Sequence, residues 1–393
     1  MNFCGIICEF NPFHNGHEYL IKVAKQILQC DIVCLMSGDF VQRGAPAIEC
    51  KYKRANKAAD AGADMIVELP CIYACSNAEN FAFGAIKTLT ALGITHLVFG
   101  IENTTLETLQ KIAELKFENS QQFQDSFKNE IENGINYNTA LKRAICKSFD
   151  NDEIILEVLN KPNNILAIEY LVAIKKLGAK IIPVAIKRVD NGFESRNSAG
   201  KFLSATAIRE KFYNGEDIKN FIPTYAEINE IFNKYHYDIF EKLVIHKLRN
   251  STPAELEKYY DYSEGIEYRI KEMTDKFGTL DEIISNISTP RYRKKRVAKL
   301  ALYPILNITK SCIKNATKTK PVARLLLIKK EKKYILSNIR KTKINLIISN
   351  NDYKLLNKNQ KNIIDIDLNA SNLYNLIFSK ENNKDKKIGV IFK

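Results

Sequence analysis

The segment that decides the fold lies near the amino terminus and reads Phe10-Asn11-Pro12-Phe13-His14-Asn15-Gly16-His17. It follows an apolar run over residues 3–10, which predicts a buried strand of a parallel sheet. It precedes residues 18–28, where apolar side chains recur at helical spacing. The segment is therefore predicted to be the strand-to-helix turn at the carboxyl end of a first strand, the place where open α/β sheets bind ligands.

Two imidazoles three positions apart, His14 and His17, are the candidate chemistry of this turn. Both can donate hydrogen bonds to one phosphate group, and Gly16 lets that group approach the backbone. The N-terminus of the following helix also favours an anion, so we predict a nucleotide site. Metal binding is the alternative, but the other three histidines lie in apolar or helical contexts and no CxxC pair is present. No metal site is predicted.

Strands and helices alternate through the first half of the chain. The strand candidates are residues 3–10, 32–37, 65–69, 95–100 and 180–186, and the helical candidates are residues 18–28, 51–61, 77–92 and 165–177. This alternation predicts βαβ units in an α/β fold with a Rossmann-like, doubly wound parallel sheet. We predict a nucleotide-binding domain at 1–215 with a helical insertion at about 105–150, a mainly α-helical basic domain at 216–320, and a small C-terminal lobe at 321–393.

The charge is distributed unevenly along the 393 residues. Residues 1–200 contain 21 basic and 23 acidic side chains, whereas residues 201–393 contain 38 and 22. The segment 286–350 alone holds 18 basic side chains and one acidic residue, Glu331. Such asymmetry indicates a polyanionic partner, most often nucleic acid. The candidate contacts cluster around one tyrosine: Arg291, Arg293, Lys294, Lys295 and Arg296.

Composition excludes several other classes of protein. No apolar run approaches ~20 residues and no signal-like segment opens the chain, so we expect neither a membrane-spanning nor a secreted protein. The nine cysteines occur without a CxxC pair, which fits free thiols in a reducing cytoplasm. No GxxxxGKS loop and no GxGxxG turn after the first strand are present, which argues against a P-loop ATPase and a dinucleotide oxidoreductase.

Two further segments carry polar side chains suited to a nucleotide. Residues 203–210 contain Ser204, Thr206 and Arg209, which offer hydroxyl and guanidinium donors to a polyphosphate. The segment Lys161-Pro162-Asn163-Asn164 opens a helix, and its asparagines are suited to capping that helix. From the residues alone, a helix start and a functional role both remain open for this second segment.

Taken together, the motifs resemble those of the HIGH-motif nucleotidyl transferase superfamily, and within it the bacterial tRNA(Met) cytidine acetate ligase family. The resemblance rests on residues 9–17, 36–47, 67–70, 99–103 and 161–166, and on the SATAIR segment at 204–209. It implies that acetate is activated with ATP to acetyl-adenylate and then transferred to N4 of the wobble cytidine of elongator tRNA(Met). Magnesium is expected with the phosphates.

The resemblance also implies the residues of the site. His14 and His17 would be catalytic, and Ser204, Thr206 and Arg209 would hold the departing phosphates. The ATP pocket would comprise Ile7, Cys8, Glu9, Phe10, Asn11, Pro12, Phe13, His14, Asn15, Gly16, His17, Glu18, Tyr19, Leu20, Gly100, Asn163 and Arg188. The chain departs from the pattern at Asp39, where asparagine is expected, and at Ala45, where glutamate is commoner. No strong general base is evident, although Asp39 or Glu102 could assist the second step.

Two alternatives remain at this stage. One is an adenylyltransferase of cofactor biosynthesis that acts on a phosphorylated metabolite, and the other is an RNA-binding protein with an inactive nucleotidyl transferase domain. The basic second half of the chain argues against the first, because a small-molecule enzyme needs no polyanion-binding surface. The presence of His14, Gly16, His17 and Arg209 argues against the second. The sequence predicts no oligomeric state.

Overall fold

The computed structural model describes residues 2–188, 200–228, 231–289, 292–339 and 342–393. Its strands are β1 (Phe3–Cys8), β2 (Asp31–Ser37), β3 (Phe40–Val41), β4 (Ala45–Pro46), β5 (Met65–Leu69), β6 (His96–Ile101), β7 (Ile182–Lys187), β8 (Val322–Ile328), β9 (Asn345–Ile347) and β10 (Ile391–Phe392).

Strands β3 and β4 form a small sheet of their own, and the other eight form the central sheet. Up to residue 213 the helices are α1 (Asn15–Leu28), α2 (Lys51–Asp60), α3 (Cys71–Ala74), α4 (Ala78–Leu92), α5 (Leu106–Glu118), α6 (Gln121–Glu132), α7 (Tyr137–Ser148), α8 (Glu153–Asn160), α9 (Pro162–Lys176) and α10 (Ala205–Tyr213). The remaining helices are α11 (Lys234–Arg249), α12 (Pro253–Leu256), α13 (Ile266–Lys276), α14 (Leu280–Ile287), α15 (Lys294–Leu306), α16 (Lys310–Lys318), α17 (Tyr334–Ile339), α18 (Asn350–Lys354), α19 (Lys358–Ile377) and α20 (Lys384–Lys387). In the described ranges, no helix is long and apolar enough to cross a membrane.

The central sheet has the strand order β10-β8-β5-β2-β1-β6-β7, with β9 also paired to β8. Strand β1 runs parallel to both of its neighbours, and Ile6 is in register with Cys34 of β2 and with Val98 of β6. The chain builds β2 and β5 on one side of β1 and then crosses to build β6 and β7 on the other. The turn after β1 therefore lies at the point where the winding reverses, which is where such sheets bind ligands.

The predicted parallel sheet is confirmed. The five strand candidates correspond to β1, β2, β5, β6 and β7, and the four helical candidates correspond to α1, α2, α4 and α9. These elements were predictable because the inner strands, which are buried on both faces, are apolar runs and because the helices between them keep an apolar stripe. Strand β7 is more exposed, but it is also mostly apolar. Helices α5, α6 and α7 lie in the region of the predicted insertion.

The C-terminal segment is built onto the same sheet as the first segment. Strand β8 is antiparallel to β5, with Met65 opposite Ile328, and β9 and β10 pair in turn with β8. All seven residues of β8 are buried, and six of them are apolar, with Arg324 the exception. The strand lies in the lobe whose fold the sequence left undetermined. The division into segments 1–215, 216–320 and 321–393 stays a prediction, and the structure adds that the last segment completes one side of the sheet.

A buried ionic cluster also joins the C-terminal segment to the first. The ammonium group of Lys51 lies 2.8 Å from Glu68 Oε1, donates a short hydrogen bond to the Asp385 carboxylate, and lies 3.9 Å from Asp39 Oδ2. Burial alone would lower the pKa of Lys51, but these carboxylates outweigh burial and raise its pKa well above the usual value. Arg324 of β8 lies 4.0 Å from Glu68 Oε2 and adds a second cation.

Replacing Lys51 with methionine tests this cluster. The substitution leaves three buried carboxylates without the ammonium group, so we expect the free energy of unfolding to fall by about 3–5 kcal/mol. Urea denaturation at pH 7 measures the change. Lys22→Met is the matched control, because Lys22 is exposed and pairs 2.7 Å from Glu18 on the surface of α1, where about 1 kcal/mol or less is expected. A similar small effect at Lys51 would contradict the proposed energetic role of the cluster.

Candidate active site

The turn after β1 is closed by its two histidines. His14 is the N-cap of α1, and its Nδ1 accepts a hydrogen bond from the backbone N–H of Gly16 at 3.1 Å. His17 reaches back, and its Nδ1 accepts from the backbone N–H of His14 at 3.3 Å. The two rings are stacked with their centroids 3.6 Å apart. Each imidazole therefore satisfies a backbone donor that the helix start would otherwise leave without a partner.

Both imidazoles are neutral at physiological pH. Burial, together with the charges of Arg188 and Arg209, lowers the pKa of His14 to about 3. Burial, His14 and Arg188 lower the pKa of His17 well below its usual value. Because Nδ1 of each neutral ring accepts a hydrogen bond, the proton resides on Nε2. The turn thus presents two Nε2–H donors that carry no net charge.

Phe10 and Phe13 support this pair from behind. Both phenyl rings are buried, and their centroids lie 4.9 Å and 5.7 Å from the ring of His17. Phe10 has a φ of 50°, a left-handed conformation that non-glycine residues seldom adopt, and the peptide bond between Asn11 and Pro12 is cis. The side chain of Asn11 accepts a hydrogen bond from the backbone N–H of Ile48 at 2.7 Å, which ties the turn to the chain before α2.

The SATAIR segment contacts the histidine turn, so Arg209 lies beside the two histidines with which it is predicted to bind phosphate. Arg209 donates to the backbone carbonyl of Asn11 and lies 3.3 Å from the hydroxyl of Thr206. Ser204 caps α10 by accepting from the N–H of Ala207 at 3.2 Å. The side chain of Asn15 holds the segment at both ends, because its Nδ2 donates to the carbonyls of Lys201 and Asn220 at 3.0 Å and 2.9 Å.

The turn after β6 forms the other wall of the site. Asn163 donates to the Glu102 carboxylate, and Asn164 holds the backbone of Glu102 through bonds of 2.9 Å and 2.8 Å. The asparagines do not cap α9, whose N-cap Lys161 makes no side-chain cap bond; their amides anchor the neighbouring turn instead. A Cβ on Gly100 would lie 3.0 Å from Cγ of Arg188, so the glycine gives room for that side chain to lie across β6.

Other residues of the predicted ATP set have packing or surface roles in the structure. Ile7 and Cys8 end β1, and the Cys8 thiol lies 3.7 Å from the carbonyl of Leu35. Leu20 packs against the core formed around α1. Tyr19 meets Phe202 edge-on at 6.1 Å, and Glu18 accepts from the Tyr225 hydroxyl at 2.9 Å. Their assignment to ATP binding stays a prediction.

Sequence reasoning missed Arg54, a buried residue that fixes the turns after β1 and β2. Its guanidinium donates to the carbonyls of Glu9 at 2.6 Å, Ser37 at 3.0 Å and Glu49 at 2.9 Å, and also to that of Gly38. The sequence offered one sign of this role, an arginine among the alanines on the buried face of α2. That pattern does not show which groups the arginine binds. Sequence reasoning also missed Arg43. Burial lowers the pKa of Arg209 and the nearby charge of Arg43 lowers it further, so the two guanidinium groups lie near each other.

The suggestion that Asp39 assists catalysis is not supported by its surroundings. Its carboxylate is buried, accepts from the backbone N–H of Lys51 at 2.8 Å and from the Ser371 hydroxyl at 3.1 Å, and belongs to the cluster around Lys51. Asp39 stabilises the turn after β2 from behind. Glu102 is the carboxylate of the two that lies with Asn163 at the wall of the site.

The five predicted tRNA contacts have different surroundings. Arg296 pairs with Asp261 at 2.8 Å and lies over the ring of Tyr292, so its guanidinium already has partners within the protein. Arg293 donates to Asn136 and Thr139 of the insertion. Lys294 and Lys295 are exposed on the first turn of α15. Arg291 lies outside the described residues.

Comparison with known proteins places the chain in a family. The profile of the family described as HIGH Nucleotidyl Transferase matches residues 1–388. The tRNA(Met) cytidine acetate ligase of Thermoanaerobacter sp. (strain X514) is 35% identical over 388 residues, 96% of each chain. The protein of the same name from Thermosipho africanus is 34% identical over 418 residues, covering 100% of this chain and 98% of the relative.

The solved structures agree with the sequence relatives. A crystal structure of Thermotoga maritima TmcAL bound with alpha-thio ATP superposes with a TM-score of 0.89 at 28% identity and covers 100% of this chain and 99% of that one. The apo form of the same protein gives the same TM-score. The chain therefore belongs to the HIGH nucleotidyl transferases. Within them it belongs to the tRNA(Met) cytidine acetate ligase family, as the motifs predicted.

The neutrality of the histidines can be tested through the pH dependence of stability. An unfolded histidine has a pKa of about 6.5, so between that pH and the lowered folded pKa the unfolded chain binds more protons. The free energy of unfolding should therefore fall as the pH is lowered from about 6.5. His14→Gln keeps a cap acceptor but removes one titrating group, so the free energy of unfolding of this variant should fall less steeply with pH. The two slopes should differ by up to about 1.4 kcal/mol per pH unit. Urea titrations between pH 7 and about pH 4 measure both slopes. Identical slopes would contradict a neutral, buried His14.

Proposed function

We propose that this protein activates acetate with ATP and acetylates N4 of the wobble cytidine of elongator tRNA(Met). The observation that carries the proposal is the stacked pair His14 and His17, which directs two Nε2–H donors from the switch point of the sheet. Arg188 and Arg209 add full positive charges beside the pair. Membership of the ligase family supports ATP, acetate and tRNA as the substrates, and a cytoplasmic location accords with them.

In the first step an acetate oxygen attacks the α-phosphorus of ATP and pyrophosphate leaves, which gives acetyl-adenylate. Negative charge grows on the phosphate oxygens, and donors fixed in place before the reaction stabilise that charge most effectively. His14 and His17 would donate through Nε2, and Arg209 would exchange the Asn11 carbonyl for a phosphate oxygen. Ser204 and Thr206 would hold the departing phosphates.

Magnesium is proposed to enter the site bound to the phosphates of ATP and not to a set of protein ligands. Among the described residues, no group of three or more His, Cys, Asp or Glu side chains is arranged to hold a metal ion. The turn instead offers N–H donors, which fits Mg²⁺ bound mainly to the phosphates of ATP. When bound there, the ion would neutralise phosphate charge.

In the second step the exocyclic amine of cytidine attacks the carbonyl carbon of acetyl-adenylate. A C–N bond forms, the bond from the carbonyl carbon to the phosphate oxygen breaks, and AMP leaves while the amine loses a proton. AMP is a good leaving group, so orientation of the weakly basic amine carries much of the catalysis. Glu102, which is held by Asn163 and Asn164, could assist by orienting the amine or accepting its proton.

Replacing His17 with alanine tests the first step. The substitution removes one phosphate donor and one cap, so acetate-dependent ATP–pyrophosphate exchange should fall by about 10²–10³-fold. Exchange of labelled pyrophosphate into ATP without tRNA measures the effect. The control is His246→Ala, because His246 is exposed on α11 and its loss should leave exchange unchanged. Exchange that survives in the His17 variant at the wild-type rate would refute the catalytic assignment.

Labelled acetate tests the whole reaction. Incubation with ATP, labelled acetate and bulk tRNA, followed by digestion to nucleosides, should yield label in one modified cytidine. If adenylate forms only with a phosphorylated metabolite, the cofactor-synthesis alternative is correct. If RNA is bound but no adenylate forms with any acid, the protein is an RNA-binding relative with an inactive site.

A further inference from the structure

The helical insertion and the basic helix meet at Arg293. Its Nη2 donates to Asn136 Oδ1 and to Thr139 Oγ1, both at 2.9 Å. Arg293 is the N-cap of α15 and Asn136 is the N-cap of α7, so the first turns of the two helices lie side by side. Residues separated by more than 150 positions in the chain therefore form one continuous surface.

Tyr137 presents an aromatic ring on this surface. The residue is 60% exposed, although the ring is fixed by an edge-on contact with Phe127 at 5.2 Å. Burial of its hydroxyl end, next to Glu79 and Glu169, raises the pKa of Tyr137, so the phenol is uncharged at neutral pH. Both carboxylates are compensated, because Glu79 pairs with Lys176 and Glu169 with Lys116.

The same surface carries cationic groups. Lys294 and Lys295 are exposed on α15, and neither α7 nor α15 has an acidic residue in its first turn. Lys142 of α7 lies near Arg293, since burial and then the charge of Arg293 lower its pKa. Its ammonium is oriented by Asn160 Oδ1 at 2.8 Å. Cations beside an exposed aromatic ring are the combination that binds unpaired nucleotides.

Helix α15 connects this surface to the turn after β1. Lys299 lies five residues after Lys294, a rise of about 7.5 Å along the helix. At that point a Cβ on Gly44 would lie 3.2 Å from the backbone nitrogen of Lys299, so the turn between β3 and β4 packs directly on α15. In the same turn, the backbone N–H of Gln42 donates to the Glu9 carboxylate at 2.8 Å.

The chemistry of the acceptor identifies the kind of RNA that fits here. The N4 amine is on the pairing edge of cytosine, so the reacting base must be unpaired, and unpaired bases stack on aromatic side chains. We propose that Tyr137, Lys142, Lys294 and Lys295, the α7–α15 surface, bind the single-stranded tRNA loop that carries the reacting cytidine. A base of that loop stacks on Tyr137, and the lysines contact its phosphates. This inference rests on the proposed function.

Substitution of Tyr137 tests the stacking contact. Tyr137→Ala should weaken binding of a tRNA(Met) transcript by between about five-fold and about one hundred-fold, whereas Tyr137→Phe should retain it because stacking needs only the ring. The control is Tyr235→Ala: Tyr235 is 66% exposed and meets His236 edge-on at 5.6 Å on the first turn of α11, a helix that contributes no residue to the proposed surface. Fluorescence anisotropy without ATP or acetate measures affinity, and thermal unfolding reports on folding. Equal affinity of Tyr137→Ala and wild type, or an equal loss at Tyr235, would overturn the proposal.

The salt dependence of binding tests the lysines. Lys294→Gln and Lys295→Gln should each reduce the slope of log affinity against log salt by about one, and blunt duplex RNA should bind more weakly than a single-stranded oligomer of equal charge. An unchanged slope, or a preference for the duplex, would refute this surface. These binding measurements do not depend on the reaction. If labelled acetate enters tRNA but the Tyr137 and lysine variants bind tRNA as tightly as the wild type, the proposed function stands and the proposed surface is rejected. Absence of tRNA binding by the wild type would reject both.

Discussion

The site depends on how the two imidazoles are hydrogen bonded. Nδ1 of His14 and of His17 is occupied by backbone N–H groups at the start of α1, so neither nitrogen is left to accept a proton or a metal ion. Burial keeps both rings neutral, and their remaining protons are directed away from the helix. The turn can therefore approach a polyphosphate with fixed dipoles, while the full positive charges come from other segments of the chain. In the proposed reaction, the same two side chains that cap the helix would also bind the phosphates.

This arrangement makes the histidine turn depend on distant parts of the chain. Arg54 fixes the carbonyls that end β1 and β2, and Asn15 holds the segment that carries Arg209. Behind them, the cluster around Lys51 unites α2, β5 and the last helix of the chain through Asp385. A loss of stability in this cluster would move the turns as well as weaken the fold, because the buried charges share the elements that carry the site.

The sequence predicted what local patterns determine and missed what distant pairing determines. The parallel strands and the histidine turn could be predicted because apolar runs, helical spacing and two histidines three positions apart are local signals. The pairing of β8 with β5 could not be predicted, since a short apolar segment interrupted by Arg324 does not identify the strand it pairs with. The bond between Lys51 and Asp385 spans 334 positions. Asn163 and Asn164 have the composition of helix caps, yet they hold Glu102, because a residue's suitability for a cap does not fix its partner.

Net charge is a poor guide to the RNA-binding residues, because it counts cations that the fold already uses. In the basic segment, Arg296 pairs with Asp261, and Lys332 lies 2.7 Å from Asp31 of β2. Helix α15 itself buries Leu300 and touches the β3–β4 turn through Lys299, so one face belongs to the core. By the surface proposed above, an RNA contact is expected to be a cation exposed on the opposite face, close to an exposed aromatic ring. Lys294 and Lys295 meet that expectation because both are exposed at the start of α15. Arg296 does not, because its guanidinium is already paired with Asp261.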